Sequence, residues 1–270
     1  MNIRRICVLY FSPTGGTEKT ARFIAGELAQ KLNLEPEYIS FTKPEERERE
    51  YRFGPDDLLV MASPVYAGRL PNKLMPEYKA KIWGENTPAL PVCVFGNRNY
   101  DEALRELVLL LEGSGFRTVG AAAFAGRHAF SGKVGEGRPD GDDFALMKDF
   151  AAKAADKLAG EDLPLLEISR EEIGPYYTPL KTDGTPAKFL KARPLTDWSK
   201  CCQCGACSRA CPMGSIDKKT MEAVGLCIKC QACIRKCTRH AKYFEDPDFL
   251  SHVAMLEQNY TARAENLVLV

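Results

Sequence analysis

Nine of the chain's eleven cysteines lie between positions 201 and 237, and eight of these repeat one spacing twice. Both groups read C-x2-C-x2-C-x3-C, and the second begins 26 residues after the first. The first group is Cys201, Cys204, Cys207 and Cys211, and the second is Cys227, Cys230, Cys233 and Cys237. A set of thiols this dense indicates disulfides, a structural metal ion or a metal cluster.

The spacing separates these alternatives. Disulfides are disfavoured because the chain has 270 residues, an odd number of cysteines and no pattern of a secretory signal at its start. Structural zinc favours two C-x2-C pairs that lie further apart, and a third cysteine at the same short interval argues against it. Three thiolates at i, i+3 and i+6 on a tight loop match three corners of an iron–sulfur cube, while the fourth cysteine usually binds a neighbouring cube.

The sequence therefore predicts two [4Fe–4S] clusters that exchange their fourth ligands. One set is Cys201, Cys204, Cys207 and Cys237, and the other is Cys211, Cys227, Cys230 and Cys233. Clusters that serve only as structural staples remain an alternative. Cys202 stands beside a ligand and is expected to be a spectator.

Charge and hydropathy exclude some functions. The net charge of +1 gives no indication of a nucleic-acid partner. No apolar run approaches the ~18 to 20 residues of a membrane span. Cluster thiolates need reduced cysteines, so we expect a cytoplasmic protein of a cell that lives with little oxygen.

The cysteine segment itself is basic. Residues 197–247 contain nine Lys and Arg against five Asp and Glu. Two oxidised clusters, counted with their thiolates, would add a formal charge of about −4 and leave the segment near neutral. Either the lysines are solvated and offset the cluster charge, or they attract an acidic redox partner.

A hydroxyl- and glycine-rich loop follows the first apolar run. Residues 3–11 predict a buried parallel strand, and a helix with apolar residues on one stripe follows the loop. A strand, such a loop and a helix together offer backbone N–H groups and hydroxyls to an anion. The Walker and G-x-G-x-x-G patterns are absent. Neutral donors suit the monophosphate of FMN, and the expected ligands are Ser12, Thr14, Gly15, Gly16 and Thr17. An ordinary helix N-cap is the alternative.

Two further loops end predicted strands at 57–63 and 89–96. The first contains Pro64, Val65, Tyr66, Ala67 and Gly68, and the second contains Gly96, Asn97, Arg98, Tyr100 and Asp101. Each loop supplies one tyrosine. The resemblance to flavodoxin described next implies that both loops hold the flavin ring, with Tyr66 and Tyr100 stacked on its faces. As alternatives, the tyrosines only cover loop surface, and Arg98 is solvated instead of stabilising the reduced flavin.

These three loops resemble those of flavodoxin. The resemblance implies an α/β doubly wound parallel sheet of five strands in the order 2-1-3-4-5, with FMN at the carboxyl ends of the strands. The fifth strand is expected at 117–125. The glycine-rich stretch 126–143 then leaves the flavin edge, as a lid, a docking surface or a flexible loop. His128 within it is a candidate proton donor to the flavin.

Residues 197–247 resemble a bacterial two-cluster ferredoxin, a small α+β domain, although Thr238 stands where Pro212 follows the first run. Together the halves resemble the flavodoxin–ferredoxin fusion proteins of the EFR type in anaerobes. The expected domains are an FMN domain at 1–162, a linker at 163–196, the ferredoxin domain at 197–247 and a C-terminal helix and tail at 248–270. The five prolines and several aromatic residues of the linker predict that it packs on both domains.

Three functions follow from this reading. The first is an electron-transfer protein that passes electrons between two clusters and FMN, and so links one-electron to two-electron chemistry. The second is an FMN-dependent reductase of a small-molecule acceptor, fed by its own ferredoxin domain. The third is a redox-sensing or scaffold module whose flavin site has decayed. The expected partner is a redox protein that donates or accepts electrons.

Overall fold

The computed structural model describes residues 2–160, 164 and 166–270. The predicted domain boundary between 162 and 163 lies outside these residues. The first part of the chain contains β1 (Arg5–Tyr10), α1 (Gly16–Leu32), β2 (Pro36–Ser40), β3 (Tyr51–Phe53), β4 (Asp57–Pro64), α2 (Met75–Lys81), β5 (Ile82–Gly84), β6 (Thr87–Phe95), α3 (Ala103–Gly113), β7 (Phe116–Thr118), β8 (Ala121–Ala125) and α4 (Gly141–Ala159). The second part contains β9 (Leu195–Thr196), α5 (Ala206–Ala210), α6 (Ala232–Arg235), β10 (Lys242–Tyr243), α7 (Pro247–Asn259) and β11 (Leu267–Leu269).

A mainly parallel sheet organises the first part. Its path runs β11-β8-β6-β4-β1-β2, and β7 pairs with β6 off this path. Strands β2, β1, β4, β6 and β8 therefore stand in the order of a flavodoxin-like doubly wound sheet. The predicted α/β fold is confirmed, but the predicted count of five strands is wrong, because β7 and β11 bring the sheet to seven.

The predicted fifth strand at 117–125 is two strands. Its first two residues belong to β7, which starts one residue earlier at Phe116, and β8 begins at Ala121. A Cβ on Gly120, between them, would lie 3.1 Å from the carbonyl oxygen of Leu269. The antiparallel strand β11 approaches at this point and pairs Leu269 with Ala121. The break therefore lies where the C-terminal segment meets the sheet.

The core has two layers, one on each face of the sheet. Along β1, Ile6 and Val8 pack with the buried faces of α1 and α4, while Cys7 and Leu9 pack on the opposite side with α3. Both faces of the sheet are covered, so the side chains on either side of β1 are buried. This is why the strand has a continuous apolar sequence instead of an alternating one.

The cysteine segment forms a small unit closed by two short strands. Tyr243 of β10 pairs antiparallel with Leu195 of β9, so residues 195–196 of the predicted linker pair with this unit. Its core consists of Cys207, Ile216, Met221 and Cys233. Half of these core side chains are predicted cluster ligands, so little apolar material holds the unit together.

The two units and the linker are in direct contact. Buried Arg47, which is ion-paired with Glu77, donates from Nη2 to the carbonyl oxygen of Pro212 at 2.9 Å. Arg235 donates to the carbonyl oxygen of His128 at 2.6 Å. These side-chain to backbone bonds fix the cysteine unit against the sheet domain.

The linker packs as predicted against the loop after β4. The amide of Tyr177 donates to the carbonyl oxygen of Ala67 at 2.8 Å, and the hydroxyl of Tyr176 donates to that of Leu70 at 2.9 Å. Across the described part of the chain, we find no helix with the length and apolarity needed to cross a bilayer.

Candidate functional site

The loop before α1 has the conformation of an anion site. Gly15 is left-handed, with φ of 89°, and turns the chain so that α1 begins at Gly16. The hydroxyl of buried Ser12 accepts a hydrogen bond from the amide of Glu18 at 2.9 Å. The Glu18 carboxylate accepts hydrogen bonds from Tyr10 and Arg22, which balance its charge. The loop therefore offers backbone and hydroxyl donors at a helix N-terminus, as a phosphate requires.

One cavity of about 580 Å³ begins at this loop. Its volume is within the usual range for a cofactor site. The lining residues come from the phosphate loop, the loops after β4, β6 and β8, the linker, the second cysteine group and α7. From the first three loops they are Pro13, Thr14, Gly16, Thr17, Pro64, Val65, Tyr66, Ala67, Asn72, Lys73, Gly96 and Arg98. The cavity thus brings together most of the predicted FMN ligands.

Six predicted ligands are not among the described lining residues: Ser12, Gly15, Gly68, Asn97, Tyr100 and Asp101. Ser12 and Gly15 shape the phosphate loop from behind. A Cβ on Gly68, which has φ of 76°, would lie 2.1 Å from Oδ2 of Asp101. The amide of Glu102 also donates to the carbonyl oxygen of Gly68 at 2.9 Å. These residues join the two flavin-ring loops to each other.

Tyr100 is directed towards the core instead of the cavity. Its ring meets that of Phe95 edge-on, with centroids 5.4 Å apart. The structure therefore does not bring Tyr100 to the position expected for stacking on the flavin, whereas Tyr66 does line the cavity.

Asn97 connects the loop after β6 to the C-terminal segment. Its side-chain nitrogen donates to the carbonyl oxygens of Tyr260 and Ala262 at 2.8 and 2.7 Å. Its side-chain oxygen accepts from the amide of Ala264 and from Arg138, both at 3.1 Å. All of its polar atoms are thus occupied in a buried structural connection.

Linker aromatics supply part of the wall that sequence reasoning did not assign. Tyr176 and Tyr177 line the cavity, and the guanidinium of Arg98 lies 4.0 Å from the centroid of the Tyr177 ring. A cation over an aromatic face at this distance stabilises both groups. The only sequence signal for this wall was the unusual number of aromatic residues in a proline-rich linker.

Two histidines line the cavity with fixed tautomers. The amide of Phe130 donates to Nδ1 of His128 at 3.1 Å, which leaves the proton of this imidazole on Nε2. Burial, and then the charges of His252 and Arg235, lower the pKa of His128 to about 4. Nδ1 of His252 lies 2.8 Å from the carbonyl oxygen of Leu180, to which it must donate. His128 is therefore a neutral hydrogen-bond donor near pH 7.

The cysteines surround two further cavities in the predicted sets. One cavity is lined by Cys201, Cys202, Cys204, Cys207 and Cys237, and the other by Cys211, Cys227, Cys230 and Cys233. Both cavities are small, at about 20 Å³ each. Within the described residues, no three His, Cys, Asp or Glu side chains converge on a single metal position. Instead, each set of thiols lines one cavity, and the two cavities are about equal in size.

Burial distinguishes the two sets of thiols. Burial raises the pKa of Cys233 to about 12, and that of Cys230 also rises. In the other set Cys204 is exposed. A cluster bound by the second set would therefore be the more enclosed, and its binding must displace protons from neutral thiols.

The second cysteine cavity and the large cavity share a wall. Cys227 and Cys230 line both, together with Ile228 and Lys229 between them. Lys229 is fixed there by hydrogen bonds from its ammonium to the carbonyl oxygens of Leu190 and Cys227. One short loop therefore separates the predicted cluster from the predicted flavin.

Residues 194–217 match the family described as "4Fe-4S binding domain". This match supports a [4Fe–4S] cluster and a redox role for the cysteine unit. No curated protein matches the chain.

Solved structures are similar to the sheet domain. A flavodoxin from the domain Archaea is 15% identical, with a TM-score of 0.41 over 58% of this chain and 100% of that one. A mutant flavodoxin from Pseudomonas aeruginosa is 18% identical, with a TM-score of 0.39 over 58% of this chain and 100% of that one. Rubredoxin oxygen:oxidoreductase from Desulfovibrio gigas is 18% identical, with a TM-score of 0.35 over 59% of this chain and 38% of that one. At these scores the fold assignment rests on the strand order of the chain itself.

Proposed function

We propose that this protein is an electron carrier of the EFR-type flavodoxin–ferredoxin family, in which two [4Fe–4S] clusters and one FMN form a single intramolecular path. The observation that carries the proposal is the wall shared by the second cysteine cavity and the large cavity. The clusters exchange single electrons, and bound FMN accepts one or two, so the path joins both kinds of chemistry.

The chain's own residues fit FMN. The phosphate loop supplies neutral donors at a helix N-terminus, and the apolar residues Val65, Val94 and Phe95 line the same cavity. Tyr66 lines this cavity together with Cys227 and Cys230, and burial raises the pKa of its hydroxyl. Tyr66 and the loop of Cys227 and Cys230 would therefore lie between the two redox groups.

The path has a defined order. The set of Cys211, Cys227, Cys230 and Cys233 borders the large cavity, whereas no cysteine of the other set is among its described lining residues. The cluster of the exposed set would be the outer end, the enclosed cluster the relay, and FMN the inner end.

The first test is composition. After anaerobic purification we expect about eight irons from two four-iron clusters, matching sulfide and one FMN per chain. Four irons, or zinc in place of iron, would overturn the ligand assignment. Full iron without flavin after reconstitution with FMN would favour the redox-sensing or scaffold function.

The second test concerns order. Cys230→Ser should impair the relay cluster and slow the reduction of FMN by an external one-electron donor, while the outer cluster still reduces, as followed by EPR. Cys202→Ser is the control, because Cys202 is not in the predicted ligand sets. Equal slowing in both variants would contradict the proposed order.

A reductase of a small-molecule acceptor is the second candidate, and one observation favours it. The cavity has walls from the linker and α7 as well as from the flavin loops, and it contains His128 and His252. Such walls could enclose an acceptor beside the ring. Menadione reduction that saturates with its concentration and weakens in His252→Phe would support an enzyme; unsaturable reduction would support a carrier.

A further inference from the structure

We infer that the outer cluster is an electron port that docks an acidic redox protein. This inference rests on the proposed function, because it needs the outer cluster to be occupied. The docking surface, called here the distal face, consists of residues 195–204, Arg209 and 236–243. These segments meet around the cavity of Cys201, Cys204, Cys207 and Cys237.

The distal face is the exposed end of the redox path. Cys204 is exposed, and the neighbouring Cys202 is exposed as well. By contrast, the flavin cavity is walled by the linker, by α7 and by the cysteine unit itself. A large partner that exchanges electrons by contact therefore reaches the outer cluster more directly than the flavin.

The rim of the distal face carries an excess of positive charge. Its exposed cations are Lys200, Arg209, Lys236 and Arg239. Arg209 donates to the carbonyl oxygen of Cys204 at 2.9 Å, and Arg239 lines the cavity beside Cys202. Two arginines thus flank the exposed thiols.

The negative charges nearby do not cancel this excess. Asp197 is ion-paired with Lys200 at 2.7 Å, and Glu245 stands beyond the end of β10. An oxidised cluster with four thiolates carries about −2, which has to be counted with the side chains. Asp197 offsets Lys200, but Arg209, Lys236 and Arg239 still outweigh the cluster, so an approaching protein meets a surface with an excess of positive charge.

An exposed aromatic side chain completes the surface. Trp198, two residues before Lys200, is 50% exposed. Exposed aromatic residues with arginines are typical of the centre of protein interfaces. We therefore assign the distal face to a protein with an acidic patch around its own one-electron centre.

The test measures electron entry into the holoprotein. An acidic two-cluster ferredoxin, reduced with dithionite and freed of excess reductant, is mixed anaerobically with the oxidised protein at several ionic strengths. We expect a second-order rate that falls as salt rises. Combined Lys236→Glu and Arg239→Glu should lower the rate at low salt at least tenfold and flatten its dependence on salt.

The matched control carries the same change of charge elsewhere. Lys31→Glu with Lys153→Glu alters two exposed lysines on α1 and α4, which pack together on the sheet. Trp198→Ala should weaken the complex at every salt concentration. Rates in the distal variant equal to those of the control, or a wild-type rate independent of salt, would overturn the inference.

The outcomes separate docking from function. Iron content, flavin content and reduction by dithionite are measured on every variant. Failure of the wild-type clusters to pass electrons to the flavin would contradict the proposed function. Normal passage with no effect of the distal variant would contradict only the docking surface.

Discussion

The ammonium of Lys242 donates a hydrogen bond to Oγ1 of Thr196 at 2.7 Å, and the side chain of this lysine is almost fully buried. It also donates to the carbonyl oxygen of Met221. Burial raises the pKa values of Cys207 and Cys233, and the charge of Lys242 opposes both rises. One buried cation thus acts on a thiol from each cysteine set.

Replacement of this cation should lower both cluster potentials. In Lys242→Met, the reduced clusters lose a nearby positive charge, so reduction becomes less favourable. We expect shifts of several tens of millivolts, where ~59 mV is a tenfold change in a one-electron equilibrium. Potentials are measured by EPR-monitored titration. Lys219→Met, at an exposed position, is the control, and equal shifts in both variants would refute the role of Lys242.

Gly68 should be needed for flavin binding. An alanine there would be strained at φ of 76° and would collide with Asp101. We expect Gly68→Ala to lower the free energy of unfolding by about 3 kcal/mol and to weaken FMN binding at least tenfold, as measured by flavin fluorescence. Gly137→Ala is the matched control, since Gly137 has φ of 77° with open space around it.

The two glycine variants separate strain from collision. Gly137→Ala should cost about 1 kcal/mol from the left-handed backbone alone and leave FMN affinity unchanged. If both variants bind FMN like the wild type, then Gly68 and Asp101 do not set the geometry of the flavin loops.

Loss of the Asn97 side chain should release the C-terminal segment. Asn97→Ala removes the buried amide that donates to the carbonyl oxygens of Tyr260 and Ala262 and accepts from the amide of Ala264. We expect about 3 kcal/mol of destabilisation and faster hydrogen exchange across 260–269. Asn99→Ala, at an exposed residue whose side chain accepts only from the amide of Asp101 among its described contacts, should change neither. Unaltered exchange in Asn97→Ala would contradict this connection.

His128 should make stability depend on pH. Its folded pKa of about 4 lies below the ordinary value of 6.5, so between these pH values the unfolded chain binds more protons. The free energy of unfolding should therefore rise with pH across this window, by about 3 kcal/mol, and be flat above it. His128→Phe should reduce this slope. A slope equal to that of the wild type at pH 4.5–6.5, measured by urea unfolding, would show that His128 is not the group responsible.

Local sequence patterns account for part of the candidate site. The two sets of thiols that the cysteine spacing predicts line two separate cavities, and their role as cluster ligands stays a prediction. Strand β1, Gly15 and helix α1 likewise follow from adjacent residues. For these features most of the determining residues lie within a few positions of one another, and the exceptions are the exchanged cysteines Cys211 and Cys237.

Other parts depended on residues far away in the chain. Tyr100 and Tyr177 are both tyrosines in polar loops, and only the packing of Phe95 and Arg98 decides which one reaches the cavity. Asn97 was predicted to bind the flavin because it lies in the loop after a predicted strand. Its actual partners lie about 165 positions later in the chain. No local pattern indicates such partners.

Strand β11 gives the molecule an order of assembly. The sheet of the first domain gains this edge only from residues that follow all eight cysteines of the repeat. During synthesis the strand β8 therefore stays uncovered until the cysteine unit has left the ribosome. The sheet of the N-terminal domain is therefore completed only after the C-terminal strand has been synthesised. The cysteine unit can take up iron before β11 pairs with β8.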